Sequence, residues 1–356
     1  MSPSAALTQS GPAAAAAGRA AERIGESTAL LQVEELSASF STEEGRVRVV
    51  EEVTFSVPQG RTVGLVGESG CGKSVTAMTL LRLLPSPPSH IDGGRILFDG
   101  LDLARLDERA LRKVRGNRIG MIFQEPMTSL NPTLSIGFQI AEVLRLHRGQ
   151  GGESARRAAV EILRQVGVGA PESRLEQYPH QLSGGLRQRV MIAMALVCHP
   201  ALLIADEPTT ALDVTIQAQI LDLLRRLQGE LDMAILLITH DFGVVAEICD
   251  EVVVMYAGRI VERATVRELF RAPRHPYTCG LLDALPRLGR RGQKLPSIPG
   301  MVPPPGARGT GCAFAERCPR ALDRCRSETP PLTEQQDGHL AACWNPRERP
   351  RELPRA

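Results

Sequence analysis

No run of apolar residues in this chain approaches the ~20 that a membrane-spanning helix needs. Nor do residues 1–28 open on a basic stretch followed by an apolar segment, so they are not read as a secretory signal. Rich in Ala, Ser and Gly, they read as a disordered leader. The expectation is a protein that stays in the cytoplasm unless a partner carries it to a membrane. Charge of one sign is missing too: the formal net charge is +2, which excludes polyanion binding by bulk charge. The balance is uneven, because residues 271–356 hold 15 Lys+Arg against 8 Asp+Glu. That Arg-rich tail suits solvent, a membrane surface or a partner. Lysine is scarce, with only Lys73, Lys113 and Lys294 among 42 basic residues. Paired C-x2-C spacing is absent among the 8 cysteines, which excludes a zinc ribbon.

What is present is enough for a full core: 356 residues with 43% hydrophobic content allow one large domain or two. Residues 30–58 alternate apolar and polar in short runs, predicting a small antiparallel sheet. Residues 62–66 form an apolar strand, followed by a glycine-rich loop and a helix over 74–84. Further strands are expected over 119–124, 201–205, 234–239 and 251–255. Helices are expected over 188–197 and 214–227, and a helical stretch over 136–168 is broken at 149–152. Strands alternating with helices predict an α/β fold with a mostly parallel sheet. The expected domains are a leader over 1–28, a main domain over 29–270 with a helical subdomain about 125–187, and a Pro/Cys-rich extension over 271–356.

One of the three lysines stands in Gly67-Glu68-Ser69-Gly70-Cys71-Gly72-Lys73-Ser74. In so lysine-poor a chain, a chance GxxxxGK[ST] match has a probability of about 0.01 or less. The glycines let successive N–H groups turn inward on phosphate oxygens, and the following helix adds its positive end. Lys73 neutralises the β and γ phosphates and the Ser74 hydroxyl binds Mg²⁺. Leu202-Leu203-Ile204-Ala205-Asp206 is an apolar strand that carries a carboxylate to the metal, and Glu207 next to it can polarise the attacking water as general base. Gln124 ends another strand, where an amide can reach metal or water. His240 ends a third and can hold the γ phosphate. Alone, Gln124 would be a surface glutamine and His240 a structural histidine; their order in the set gives them weight.

The set, with Leu182-Ser183-Gly184-Gly185-Leu186-Arg187-Gln188, resembles the ATP-binding cassette family over about residues 31–270. The resemblance implies a P-loop nucleotide-binding domain: a mostly parallel core sheet, a small antiparallel β subdomain and a helical subdomain. It makes Ser183, Gly184, Gly185 and Gln188 the signature motif, a second phosphate cradle that closes on ATP held by an opposite subunit. It places Asp213 in the loop that crosses the dimer interface, and Phe40 either against adenine or in the core. Asp206, Ser74 and Gln124 become the Mg²⁺ set, and Glu207, Gln124 and His240 the catalytic set. Cys71 is a permitted variant in the loop; a thiol near a helix N-terminus is open to oxidation.

Residues 125–132 (Glu125-Pro126-Met127-Thr128-Ser129-Leu130-Asn131-Pro132), Tyr178-Pro179-His180-Gln181, His275-Pro276-Tyr277-Thr278 and Ile298-Pro299-Gly300 extend the likeness. They are similar to the bacterial importer ATPases for dipeptides, oligopeptides and nickel. The resemblance implies an ATPase that drives import by ATP-dependent pairing. Its partners would be a second cassette subunit, usually different, two transmembrane permease subunits, and an extracytoplasmic substrate-binding protein that acts indirectly. The site of action would be the cytoplasmic face of the cell (inner) membrane, without nucleic acid. A DNA- or ribosome-directed cassette is disfavoured by the lack of a long coiled-coil insertion or second cassette. A P-loop kinase or GTPase is disfavoured by the Ser183-Gly184-Gly185 motif.

Cys312, Cys318, Cys325 and Cys343 follow a C-x5-C-x6-C-x17-C spacing. In a reducing compartment, clustered thiols read as metal ligands rather than disulfides. A Cys-Pro step occurs in some iron–sulfur sites, and the resemblance implies a [4Fe-4S] cluster; Zn²⁺ and free or disulfide-linked thiols stay open as alternatives.

Overall fold

The computed structural model describes residues 29–125, 129–210, 212–285, 296–336 and 338–347. The chain starts as a long antiparallel hairpin of β1 (Ala29–Thr42) and β2 (Gly45–Pro58), where Val33 faces Phe55 and Phe40 faces Val47. β3 (Thr62–Val66) then carries the chain to a glycine loop and α1 (Lys73–Leu80). β4 (Ser89–Phe98) and β5 (Leu101–Asp102) return to the hairpin, completing a sheet of order β2-β1-β4-β5. The antiparallel subdomain therefore draws its second half from residues after the loop, a part the sequence pattern did not mark. α2 (Glu108–Val114) starts where the Asp107 carboxylate accepts from Ala110 N, and leads into β6 (Ile119–Ile122).

The helical subdomain follows as α3 (Ile136–Arg148), α4 (Gly152–Gln165), α5 (Pro171–Arg174) and α6 (Gly184–Leu196). The break expected at 149–152 is real: Gly149 takes φ +64° and closes α3, a left-handed conformation that glycine adopts without cost. Ile140, Leu144, Ala159 and Leu163 bury one core with Val190 and Ile192 of α6. Next come β7 (Leu202–Asp206), α7 (Val214–Leu231), β8 (Ala234–Thr239), α8 (Phe242–Ile248) and β9 (Glu251–Tyr256). After them run β10 (Arg259–Thr265), α9 (Val266–Arg271), α10 (Pro276–Asp283), α11 (Arg324–Ser327), β11 (Thr333–Gln336) and β12 (His339–Ala341).

The main sheet has the order β11-β12-β10-β9-β3-β8-β7-β6. β9, β3, β8, β7 and β6 run parallel; β10, β12 and β11 add on antiparallel. Every residue of β3, β7 and β8 is buried, as expected of strands covered on both faces. Gly67, Gln124, Glu207 and His240 thus all follow the carboxyl ends of neighbouring parallel strands, where open α/β sheets bind ligands. The helix expected over 74–84 closes at Leu80, and the strand expected over 119–124 closes at Ile122. The helix expected from 188 begins at Gly184, inside the signature motif.

The boundary expected near 270 falls within α9, and the chain beyond it rejoins the main sheet through β12 on β10. Tyr277, Leu282 and Phe314 share a core with Val254 and Tyr256 of β9. The leader (1–28), residues 126–128, Ala211 and the last nine residues lie outside the described residues.

Candidate nucleotide site

Six residues bridge the end of β3 to the start of α1. Gly70 sits at φ +77° and Gly72, the N-cap of α1, at φ +107°. Both values are costly for any residue with a Cβ. Gly67 is required by space, because a Cβ there would lie 2.2 Å from the Met255 carbonyl oxygen. No side chain caps α1, so its first N–H groups face into the loop, the arrangement that receives phosphate oxygens. Lys73 is buried, and its Nζ donates to the carbonyls of Gly67 at 2.8 Å and Glu68 at 3.0 Å. Ser69 is exposed at the loop's outer turn, whereas Cys71 is buried. Burial pushes the Cys71 thiol up, against the pull of Lys73; the ready oxidation expected for a thiol at this helix end is opposed by desolvation.

Ser74 Oγ donates to Asp206 Oδ1 at 3.0 Å. Asp206 is 1% exposed. Burial raises its pKa, and the Glu207 charge raises it further against the Ser74 bond and Lys73. A desolvated carboxylate beside a hydroxyl is a fitting pair of ligands for a hard cation, whose charge would offset that burial.

Glu207 takes φ +46°, a strained region for a residue with a Cβ that recurs at functional sites. Its N–H donates to the Ile238 carbonyl at 2.9 Å, fixing the turn. The turned carboxylate accepts from Gln124 Nε2 at 3.3 Å and Thr210 Oγ1 at 2.8 Å, and its other oxygen lies 3.2 Å from His240 Nδ1. Three strand ends therefore converge on one carboxylate. Thr210 was not marked by sequence reasoning; its only signal was its place three residues after Glu207.

Ser183 is the N-cap of α6, with no side-chain cap bond. Ser183 and Gly184 are exposed, and a Cβ on Gly184 would meet open space. Among the described residues no hydrogen bond joins Ser183, Gly184 or Gly185 to the phosphate loop. Gln188, grouped with them by sequence, points inward: it is buried, and its amide donates to Pro208 O at 2.5 Å. It ties α6 to the turn after Glu207. Asp213 caps α7 by accepting from Ile216 N at 2.9 Å. Phe40 stands half-buried on β1 opposite Val47 and Ser89.

The tail cysteines gather at a second place. Cys312 N donates to Cys325 O at 2.8 Å. The backbone N–H groups of Leu322 and Asn345 donate to Cys325 Sγ and Cys343 Sγ, both at 3.4 Å. Burial raises the pKa of Cys312 and Cys318, and pushes Cys343 up to about 11, with neighbouring members of the four adding to each rise. Among the described residues no three His, Cys, Asp or Glu are grouped as ligands of a single metal ion.

Comparison with known proteins agrees with this layout. The ABC transporter family matches residues 50–210, and the C-terminal region of oligopeptide/dipeptide transporters matches residues 261–325. The chain is 50% identical over 318 residues to a dipeptide transport ATP-binding protein of Escherichia coli (strain K12), covering 89% of this chain and 97% of the relative. It is 51% identical over 318 residues to an oligopeptide transport ATP-binding protein of Bacillus subtilis (strain 168), covering 89% of each. A solved dimeric ATP-binding cassette bound to ADP and Pi superposes with TM-score 0.60 at 28% identity, over 67% of this chain and 99% of that one. A cassette from Clostridium perfringens, part of an ABC transporter complex, does so with TM-score 0.57 at 31% identity, over 68% and 90%.

Proposed function

The chain belongs to the ABC transporter ATP-binding proteins, and from that premise we propose that it is the ATP-hydrolysing subunit of a bacterial peptide importer. The convergence of Gln124, Thr210 and His240 on the Glu207 carboxylate carries the hydrolytic part. A general base must be shielded, oriented and close to the γ phosphate; Glu207 is 11% exposed and lies at the same sheet edge as the phosphate loop. Lys73 and the loop N–H groups bind the phosphates, and Ser74, Asp206 and Gln124 would hold Mg²⁺, which when bound neutralises charge on the transferring group. His240, 59% exposed, is free to meet the γ phosphate.

The exposed Ser183 and Gly184 at a helix N-terminus support a role on a partner's ATP. One chain supplies one loop and one such cradle, so two complete sites need two cassettes. The second is a related but different subunit. Two permeases dock on the helical side, where a cleft of about 230 Å³ is lined by Leu83, Phe123, Leu130, Val143 and Met194. No helix of the described residues is long and apolar enough to cross a membrane; in this reading the permeases span it, and the chain acts at the cytoplasmic face through them. A substrate-binding protein selects the cargo outside; nickel replaces peptide if those subunits belong to a nickel system.

We read the four tail cysteines as ligands of a [4Fe-4S] cluster. Their mutual pKa effects and the N–H donors to Cys325 and Cys343 sulfur suit such a site. Zn²⁺ on the same four sulfurs is the alternative. The cluster would staple a Pro-rich segment with little core of its own. To test the importer reading, the tagged chain is purified from detergent-solubilised membranes. Recovery of two polytopic subunits and a second cassette is expected; recovery of the chain alone, or with nucleic acid, would count against it.

A further inference from the structure

All three polar handles of Glu68, the second residue of the phosphate loop, are tied down. Its carbonyl accepts from Lys73 Nζ at 3.0 Å. Its N–H donates to Tyr277 Oη at 2.8 Å. Its carboxylate is gripped by Arg317, with Nη1 at 2.7 Å from Oε2 and Nη2 at 3.0 Å from Oε1. Tyr277 is on α10 and Arg317 stands just before Cys318, so two of the three ties come from the C-terminal region, 209 and 249 residues along the chain.

The grip is rigid. Arg317 is buried, with its guanidinium 5.7 Å from the Tyr256 ring and 5.8 Å from the Phe314 ring. Its Nε donates to Pro299 O at 2.8 Å, and Nη1 reaches Tyr256 Oη at 3.3 Å. Tyr277 packs edge-on against Tyr256, with centroids 4.6 Å apart. A buried, planar guanidinium held this way matches a carboxylate in one orientation. When Lys73 turns to phosphate, the Glu68 carbonyl keeps only the Cys71 N–H at 3.3 Å, a contact within the loop itself, and Tyr277 and Arg317 become the ties that hold this end of the loop to the rest of the molecule.

We propose that Arg317 and Tyr277 are positioning residues for the phosphate loop, so that the C-terminal region sets the affinity of the site for nucleotide. The inference rests on ATP binding by the loop and on nothing about cargo, so a negative transport assay leaves it standing. The test is ATP hydrolysis by the assembled transporter carrying Y277F, which removes one oxygen, or R317K, which keeps the charge but loses the fork. R320Q is the control, since Arg320 lies three residues on and bonds Asn345 Oδ1 at 2.9 Å instead. Losing one charge-assisted or buried bond that orders the loop should raise KM for ATP about tenfold, with kcat at saturating ATP within about twofold, while R320Q matches wild type. Unchanged KM in Y277F and R317K would overturn the proposal, as would an equal shift in R320Q, which would mark general loosening of the tail. If R317K fails to fold, the KM of Y277F against that of R320Q decides between the same two outcomes.

Discussion

The Gln124 amide donates to the Glu207 carboxylate across 3.3 Å, although the two residues follow different strands. Gln124 comes after β6 and Glu207 after β7, its parallel neighbour, so sheet order brings an amide and a carboxylate together at one edge. Glu207→Gln keeps the shape and the Thr210 contact but removes the carboxylate proposed as the base. Hydrolysis should fall by about 10²- to 10⁴-fold while ATP binding persists, and the paired cassettes should stay closed on ATP. Phosphate release and size-exclusion elution with ATP measure both; an unchanged rate would remove Glu207 from the base role.

Two glycines make opposite predictions. A Cβ on Gly67 would meet Met255 O at 2.2 Å, with no side chain able to yield. Gly67→Ala should abolish nucleotide binding and lower stability by about 1–3 kcal/mol through backbone displacement. A Cβ on Gly184 meets nothing within 4 Å, and the residue opens α6. Gly184→Ala should fold as well as wild type and bind ATP at its own loop, yet hydrolyse slowly because the added methyl intrudes on a partner's phosphate. Thermal melts with a nucleotide-binding titration separate the two.

His275 sets a pH limit on the C-terminal region. It is buried, and burial lowers its pKa from 6.5 to about 4. Its Nδ1 accepts from Tyr277 N at 3.1 Å, which requires the neutral ring. Above pH 6.5 neither folded nor unfolded chain binds this proton, and the contribution is fully present. As pH falls toward 4 only the unfolded chain takes it up, so stability drops, by about 2 kcal/mol from pH 7.5 to 5. His275→Asn keeps an N-cap acceptor and should flatten that part of the pH dependence in denaturant titrations; a slope equal to wild type would contradict the assignment.

Metal content after anaerobic purification tests the tail. About four irons with matching acid-labile sulfide per chain are expected, and Cys325→Ser should lose them. Stoichiometric zinc would replace the cluster with a plain staple, and absence of both metals would leave four free thiols.

The phosphate loop, Asp206-Glu207 and the parallel strands were legible because glycine geometry and continuous apolar runs are local signals. β4 was not: Gly93 and Gly94 interrupt its pattern, and Gly94 sits at φ +92° where the strand passes the Glu34 carbonyl. β10 was hidden by Glu262 and Arg263, charged residues that are buried because His339 and Glu251 pair with them. The inward turn of Gln188 and the Glu68–Arg317 pair depend on contacts between distant segments, which no spacing rule reveals. The packing of the segment after 270 was not legible because its aromatic residues pack onto β9 rather than onto one another alone.

The most direct test of the account is uptake of a labelled dipeptide and a labelled oligopeptide by a strain deleted for this gene and carrying either wild type or Glu207→Gln. The account predicts that deletion abolishes uptake of at least one peptide and that only wild type restores it. Uptake untouched by deletion, or restored equally by both forms, would contradict a peptide importer driven by hydrolysis at this site.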